Sequence, residues 1–354
     1  MIMAEDKGGN DLKIKEAANQ LHTTPRTIRF YEEKGLIEPE KGENDYRYYN
    51  EADLWRLQAI LALREIGMST NQIKEALEDE KEIETYLNVQ RSALYEEWLQ
   101  MKDMITTVDD MLEKQKEHKL AAEDLFKLSK QLKGLKQTRN DWEDKWNFNN
   151  QAQAYDQNIK TTGYRFNVHE HYHEALAKVR ECISPMSGQL GVDIGTGTGN
   201  LASLFLEKDV EMIGVDQSEE MLKVCKEKHP EMDVRHGHFL ALPLMDGQAD
   251  FITTSYALHH IPDTQKLLAL KEMDRVLGNE GCIAIADLMF KDEHDRKLKL
   301  AKYKEEENHE ALEAIHDEYY ADRSLLVNWL KENGYHVECL AFNPILHVVF
   351  AEKV

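Results

Sequence analysis

The chain is short of several things, and each shortage narrows the reading. Seven prolines and 18 glycines in 354 residues exclude collagen-like and elastic classes. The four cysteines, Cys182, Cys225, Cys282 and Cys339, are scattered and form no Cys-x-x-Cys pair. Neither a disulfide framework nor a thiolate zinc site is indicated, and they read as small buried hydrophobes. No apolar run approaches the roughly 18–20 residues needed to span a bilayer. Met1 to Asn10 lacks the basic-then-apolar order of a secretory signal. The expectation is a cytoplasmic protein without a membrane partner.

What is present is a folded, helix-rich composition, 42% apolar and 31% charged, at a length that allows two or three domains of about 100–200 residues. The net charge is −22. Between Leu12 and Glu78 ten Lys/Arg face twelve Asp/Glu, which leaves −20 on the rest of the chain. A polyanion is repelled by such a surface, so any nucleic-acid site is expected in this first segment.

Leu12 to Leu21 reads as a short helix. Thr23-Thr24-Pro25 supplies an N-cap and a first-turn proline for a second helix, through Arg29, Tyr31 and Glu33, that ends at Gly35. Two helices on a tight turn, with Arg26, Thr27 and Arg29 opening the second, form a helix-turn-helix pattern. Gly35-Leu36-Ile37-Glu38-Pro39, polar Glu40 to Asp45 and Tyr46-Arg47-Tyr48-Tyr49 suit a two-stranded wing. Helices from Asn50 to Ile66 and from Thr70 to Glu78 follow. This segment resembles the DNA-binding domain of the MerR family of transcriptional regulators, through Thr27-Ile28-Arg29-Phe30-Tyr31-Glu32, Gly35-Leu36-Ile37, Tyr46-Arg47-Tyr48-Tyr49, Asp53-Leu54 and Ile66-Gly67-Met68-Ser69. Asp45 stands where that family usually places a glycine. The resemblance implies promoter DNA as a partner, contacted by Thr24, Arg26, Thr27, Arg29 and Tyr31 on the second helix and by Tyr46, Arg47 and Tyr49 on the wing, with RNA polymerase nearby at the promoter.

From Ile83 a long helix is indicated by Leu87, Gln90, Leu94, Trp98, Met101, Ile105, Val108 and Leu112, which advance by threes and fours as a heptad stripe with one stutter. A second stripe, Ala121, Leu125, Leu128, Leu132 and Leu135, follows the polar break at Gln115 to Lys119. The stripes either pack on their own domain or, as the resemblance implies, residues 83–112 pair with a second copy in a homodimer. Asn140 to Asp156 is polar and aromatic, with Trp142, Trp146, Phe148 and Tyr155, and marks a boundary. Beyond it, apolar runs at Leu190–Ile194, Met212–Val215, Phe251–Thr254, Cys282–Leu288, Val337–Ala341 and Leu346–Ala351 alternate with helical stretches, which predicts a mostly parallel sheet covered on both faces.

Val192-Asp193-Ile194-Gly195-Thr196-Gly197-Thr198-Gly199 follows a strand and opens a helix, so backbone N–H groups can meet a ligand. The dinucleotide fingerprint wants its third glycine at position 200, which is Asn. Asp193, together with Asp216 at the end of the next strand, suits a nucleoside with a free ribose diol. This half resembles the class I S-adenosylmethionine-dependent methyltransferases from about Ala152 to Val354. Beyond Asp193 to Gly199 and Asp216, the resemblance rests on Ser218-Glu219-Glu220-Met221-Leu222, Gly237-His238-Phe239-Leu240-Ala241-Leu242-Pro243, Ala249-Asp250-Phe251-Ile252, Ala257-Leu258-His259-His260-Ile261-Pro262-Asp263 and Asp274-Arg275-Val276-Leu277-Gly278-Asn279-Glu280-Gly281. It implies S-adenosylmethionine as cofactor and S-adenosylhomocysteine as product. Asp216, with Gln217, would hold the ribose, and Met221 and Phe239 would border the adenine. Asp193, Gly195, Thr196, Gly197 and Gly199 would form the cofactor loop. Ser255 and Tyr256 would lie by the methionine end, and Tyr155 would close over it. His238 stands where an aspartate commonly reads the adenine amine.

The expected fold class is therefore multidomain α plus α/β: a disordered stretch 1–11, a winged helix-turn-helix at 12–79, long coiled-coil dimerisation and linker helices at 80–139, and a seven-stranded Rossmann-like methyltransferase domain at 140–354. Methyl transfer from a sulfonium is an in-line displacement that mostly needs positioning. His259, His260 and Tyr256 are candidate catalytic residues, though the two histidines alternatively only support the loop after the fourth strand. No Asp/Asn-Pro-Pro-Tyr follows Phe251–Thr254, which argues against methylation of exocyclic amines on nucleic-acid bases; a small-molecule methyl acceptor is the expected partner. In His169-Glu170-His171-Tyr172-His173 only His169 and His173 would share a helix face, too few ligands for zinc, so no metal is expected. The charged run Asp292 to Tyr320 is either a solvated face or a substrate cover. The whole reads as a regulator with a methyltransferase effector domain. The alternatives are a small-molecule methyltransferase whose winged domain only dimerises, and a sensor of S-adenosylmethionine without turnover.

Overall fold

The structure is a computed structural model that describes residues 12–42, 46–78, 83–116, 121–140, 145–161 and 165–354. The stretch 1–11, Asp45 and Trp142 lie outside the described residues. The chain divides into two compact units, Met1–Gln90 and Arg91–Val354.

In the first unit β1 (Leu12–Lys13) leads into α1 (Ile14–Gln20), and α2 (Pro25–Glu33) follows on a tight turn. Thr24 caps α2 by accepting the Thr27 N–H at 3.1 Å, and Gly35, at φ +67°, lets the chain leave it. The wing strands are β2 (Glu40–Lys41) and β3 (Arg47–Tyr49), with β1 as a third strand on the far side of β3. The helix expected from Leu12 is thus shorter, because Leu12 and Lys13 pair with Tyr49 and Tyr48 in extended form. α3 (Glu51–Glu65) starts with a reciprocal Asn50/Asp53 capping box, and α4 (Thr70–Glu78) completes the unit. Ile28, Tyr31, Leu36, Tyr49, Leu57, Ile60 and Ile73 form its core. α5 (Ile83–Lys116) begins here, with Ile83 and Tyr86 packed on that core.

The second unit takes α5 from Arg91, then α6 (Ala122–Asn140), α7 (Phe148–Gln151), a 3-10 turn, α8 (Tyr155–Ile159) and α9 (Tyr172–Ile183). The sheet elements follow: β4 (Leu190–Ile194), a 3-10 helix over Ala202–Lys208, β5 (Glu211–Asp216), α10 (Glu219–Lys228), β6 (Asp233–His236), β7 (Ala249–Ser255), α11 (Asp263–Val276) and β8 (Leu277–Phe290). α12 (Glu293–Glu305), α13 (His309–Asp317), β9 (Ala321–Asp322), α14 (Arg323–Glu332), β10 (Tyr335–Ala341) and β11 (Leu346–Lys353) complete it. The main path of the sheet runs β10-β11-β8-β7-β4-β5-β6, with β9 paired to β8 beside it. β4 to β8 run parallel, while β11 is antiparallel to both of its neighbours. Alternating side chains feed two cores, one under α9 and α10 with Phe251, Ala284 and Ala286, the other under α11 and α14 with Ile252, Ile283 and Ile285. Gly278 to Gly281 sit where register shifts, since β7 advances from Ala249 to Phe251 while β8 advances from Leu277 to Cys282.

One face of α5 docks on this unit. Leu99 is buried, Arg91 donates to the Val234 carbonyl at 3.2 Å, Lys102 pairs with Asp246, and Arg139 of α6 joins Asp103 to the Leu240 carbonyl. The Arg275 guanidinium lies 5.1 Å over the Trp98 ring. The other face leaves Leu94, Met101, Met104, Ile105, Val108 and Leu112 between 45% and 63% exposed. No helix among the described residues is long and apolar enough to cross a membrane.

Candidate functional site

The glycine loop leaves β4 at Gly195, whose φ of +68° few side chains adopt. A Cβ there would stand 2.4 Å from the Ala257 methyl, so glycine is required twice over. The Gly195 and Thr196 N–H groups return to the Val215 carbonyl at 2.8 and 3.0 Å. Asp216 then clasps the loop: Oδ2 accepts from Gly197 N–H at 2.8 Å and Oδ1 from Ser218 N–H at 2.9 Å. Ser218 caps α10 through Met221 N–H, and its hydroxyl meets Asn149 of α7 at 2.7 Å. After the loop comes a 3-10 helix rather than the α-helix expected from sequence.

One pocket gathers Tyr155, Gly195, Gly197, Asp216, Gln217, Met221, His238 and Phe239, which were read from sequence, with Tyr256 and His260. Asp193, Thr196, Gly199, Ser255 and His259 do not line it. Asp193 lies behind the loop, 1% exposed, holding the Thr253 hydroxyl at 2.9 Å. Burial pushes its carboxyl up to about 7 against the opposing bonds from Thr196 and Thr253. Tyr155 rests beside Gly197, because Asp156 is anchored by Thr198, Asn200 and Lys228 at 2.6, 3.0 and 2.7 Å.

At the far side of the pocket, Tyr256 takes a φ of +50°, an outlier for a bulky residue. Its ring stacks on His169 at 5.4 Å, and its buried hydroxyl meets no partner among the described residues. Burial holds that phenol neutral, well above its ordinary pKa. The His260 ring lies 4.7 Å from Trp146 and 4.9 Å from Phe148, both of which line the pocket. His259 turns away from the pocket to Asp287 and Glu318. Burial opposes charge on His259, but those two carboxylates carry its pKa above the ordinary value, whereas burial and the neighbouring His259 drive His260 well below it. His169 and His171 precede α9 rather than lying on it, and burial pushes His169 down to about 4. The donor group with metal-compatible spacing among the described residues is instead His259, His260 and Glu318. Of the run Asp292–Tyr320, α12 buries no residue, while Tyr319 donates its N–H to the His259 carbonyl.

On the first unit, Thr24 stands exposed at the cap of α2, Arg26 and Arg29 stand exposed on the helix, and Tyr46 is 62% exposed on the wing. Two of the expected DNA contacts are core residues instead: Tyr31 is 5% and Tyr49 0% exposed. Tyr49 donates its hydroxyl to Glu32, and Arg47 donates to the same carboxylate at 2.6 Å. Thr27 is half-buried in the cap of α2.

The MerR HTH regulatory protein family matches residues 12–80, and the methyltransferase domain family matches residues 192–281. An uncharacterised methyltransferase of Alkaliphilus oremlandii is 30% identical over 207 residues, which cover 58% of this chain and 95% of the relative. The chain belongs to the methyltransferases. Another uncharacterised methyltransferase, from Geobacillus sp. (strain WCH70), is 30% identical and is covered to 96% by 58% of this chain. A solved S-adenosylmethionine-dependent methyltransferase from Aquifex aeolicus is 20% identical, with a TM-score of 0.38 over 51% of this chain and 89% of that one. The methyltransferase here thus carries an added MerR-type helix-turn-helix domain, and S-adenosylmethionine is its expected cofactor.

Sequence reading missed Gln265, Pro262, Ala257 and Lys145 in the methyltransferase pocket, and Glu318 behind it. Trp146 and Phe148 were visible only as an aromatic cluster at a boundary. Glu96 was missed as well: from α5 it accepts from His238 Nε2 at 3.2 Å, with the ring's Nδ1 accepting Leu240 N–H. That pairing assigns the His238 proton to Nε2.

Proposed function

We propose that this methyltransferase is a dimeric, DNA-binding transcriptional regulator whose S-adenosylmethionine site biases promoter binding, and that it methylates a small molecule. The observation that carries the reading is α5. The helix bears Gln90, whose amide donates to the Ile66 carbonyl of the winged unit at 2.8 Å, and Glu96, hydrogen-bonded to His238 at the adenine end of the pocket. In this reading Asp216 and Gln217 hold the ribose, and Met221 and Phe239 enclose the adenine. Asp216 lines the pocket, and the Gly197 and Ser218 N–H groups it accepts fix its carboxylate where a ribose diol would meet it.

A small acceptor is supported by the aromatic wall of Trp146, Phe148, Tyr256 and His260, which excludes water and positions a nucleophile for in-line displacement. Dimerisation through a second copy is supported by the exposed stripe on α5, where Leu87, Leu94, Met101 and Val108 recur every seven residues. Exposed Arg26 and Arg29 would meet a polyanion from the opening of α2, with RNA polymerase as neighbour at the promoter. The competing reading, a small-molecule methyltransferase whose winged domain mainly dimerises, draws on Arg47 being held by Glu32. Selection from genomic DNA with the full-length protein separates them: an enriched pseudo-palindrome protected by a dimer supports the regulator, and no enriched sequence supports the competitor.

A further inference from the structure

We propose that His259, His260 and Glu318 form a site for a divalent transition-metal ion, zinc foremost, behind the acceptor end of the pocket. This goes beyond the regulator reading and does not depend on it. One donor atom from each residue lies within 4.8 Å of the other two. His259 Nε2 stands 3.5 Å from Glu318 Oε2, and His260 Nδ1 stands 3.9 Å from Glu318 Oε1. A tetrahedral ion with bonds of about 2.0–2.1 Å sets its ligands about 3.4 Å apart, so small side-chain shifts would bring three donors that lie within 4.8 Å of one another onto one ion. The same spacing is too open for good hydrogen bonds, and His260 Nδ1 is buried without a partner.

The surroundings fit a cation. Asp287 takes the Nδ1 side of His259, which leaves Nε2 facing Glu318, the carboxylate–histidine arrangement that orients metal-bound imidazoles. Asp287 is itself fixed by the Leu258 and His259 N–H groups. The Lys266 ammonium is turned to the Ile261 and Tyr319 carbonyls and to Asp263 at 3.2 Å. Asp287 and Glu318 thus set a carboxylate against the histidine pair from either side, which favours a cation between them. Two imidazole nitrogens and one carboxylate oxygen suit zinc rather than magnesium or calcium, which favour all-oxygen shells. The ion would tie the turn after β7 to the segment between α13 and β9, already joined by the Tyr319 N–H bond to the His259 carbonyl at 2.9 Å. It would thereby fix the His260 ring that lines the pocket.

The test uses the full-length protein, purified without a histidine tag and stripped with a chelator, then given zinc alone. The proposal expects about one retained zinc per chain by mass spectrometry, a higher melting temperature, and visible bands of a four-coordinate ion on cobalt substitution. Glu318→Gln and His260→Gln should each weaken zinc by at least about tenfold in chelator competition, with circular dichroism unchanged. His171→Ala and Cys339→Ser, which alter other donors, should leave affinity unchanged. A wild-type protein that retains no stoichiometric zinc, or a folded Glu318→Gln variant that binds it as tightly, overturns the proposal.

Discussion

The two ends of the pocket are built by different means. The proposed nucleotide end is made at neighbouring strand ends: the loop after β4, Asp216 closing β5 and Gly237 to Phe239 after β6. The proposed acceptor end is assembled from separated side chains: Trp146 and Phe148 ahead of the sheet, Tyr256 and His260 after β7, and Glu318 to Tyr320 behind them. A parallel sheet dictates the first, because its strand ends and helix starts supply N–H groups wherever the topology recurs. The second belongs to this chain, which is why fold alone leaves the acceptor open.

If that contrast is right, the strongest damage should come from filling the nucleotide loop. Gly195→Ala meets both an unfavourable φ and the Ala257 methyl, and about 2–4 kcal/mol of stability should be lost in a denaturant titration. Gly188→Ala, also at positive φ (+83°) but with nothing within 4 Å, should lose only the backbone part, about 1–2 kcal/mol. Equal losses would mean that loop crowding is irrelevant. Next in size, Asp216→Asn should weaken S-adenosylmethionine about ten- to a hundredfold in calorimetry, since charge-assisted bonds to the ribose are worth about 1.5–3 kcal/mol each. Wild-type affinity in that variant would remove Asp216 from the site.

The two ends should also titrate in opposite senses. Asp193, beneath the glycine loop among Thr196, Thr253 and Asp216, has its carboxyl raised to about 7 by burial. Folded, it keeps a proton that the unfolded chain releases near 3.9, so its stabilisation is present below about pH 4 and fades as pH rises to 7. His169, against Tyr172 and Tyr256 with the charge of His259 beyond, is lowered to about 4, so its contribution is present above about pH 6.5 and fades as pH falls. Each slope is at most about 1.4 kcal/mol per pH unit. The two slopes oppose each other across the same window, so in melts from pH 4 to 8 Asp193→Asn should make stability rise more with pH and His169→Phe should make it fall more. The smallest effect should be Trp146→Ala, which sits at the other end from the ribose and should alter S-adenosylmethionine affinity by less than about threefold.

Legibility followed the same division. Cap and turn chemistry made α2, α3 and the glycine loop readable, since Thr24 and Asn50 cap their helices and Gly195 takes a positive φ. β6 was missed because Asp-Val-Arg-His is a polar edge strand with no apolar run, and β1 because two residues carry no period. Tyr31 and Tyr49 looked like surface aromatics of a DNA-binding motif, but both fill the core of a small domain that has few large apolar residues. Glu96 and Glu318 were invisible because only tertiary packing carries them to His238 and to the histidine pair.

The central claim is that the cofactor site and the winged domain speak through α5. It is tested most directly by measuring operator affinity with and without saturating S-adenosylmethionine, and S-adenosylmethionine affinity with and without saturating operator, in the wild type and in Glu96→Gln. The account predicts the same factor both ways, about 5- to 150-fold, and a smaller one in the variant. Two wild-type affinities that each stay unchanged would contradict it and leave the winged domain as an attachment to the enzyme.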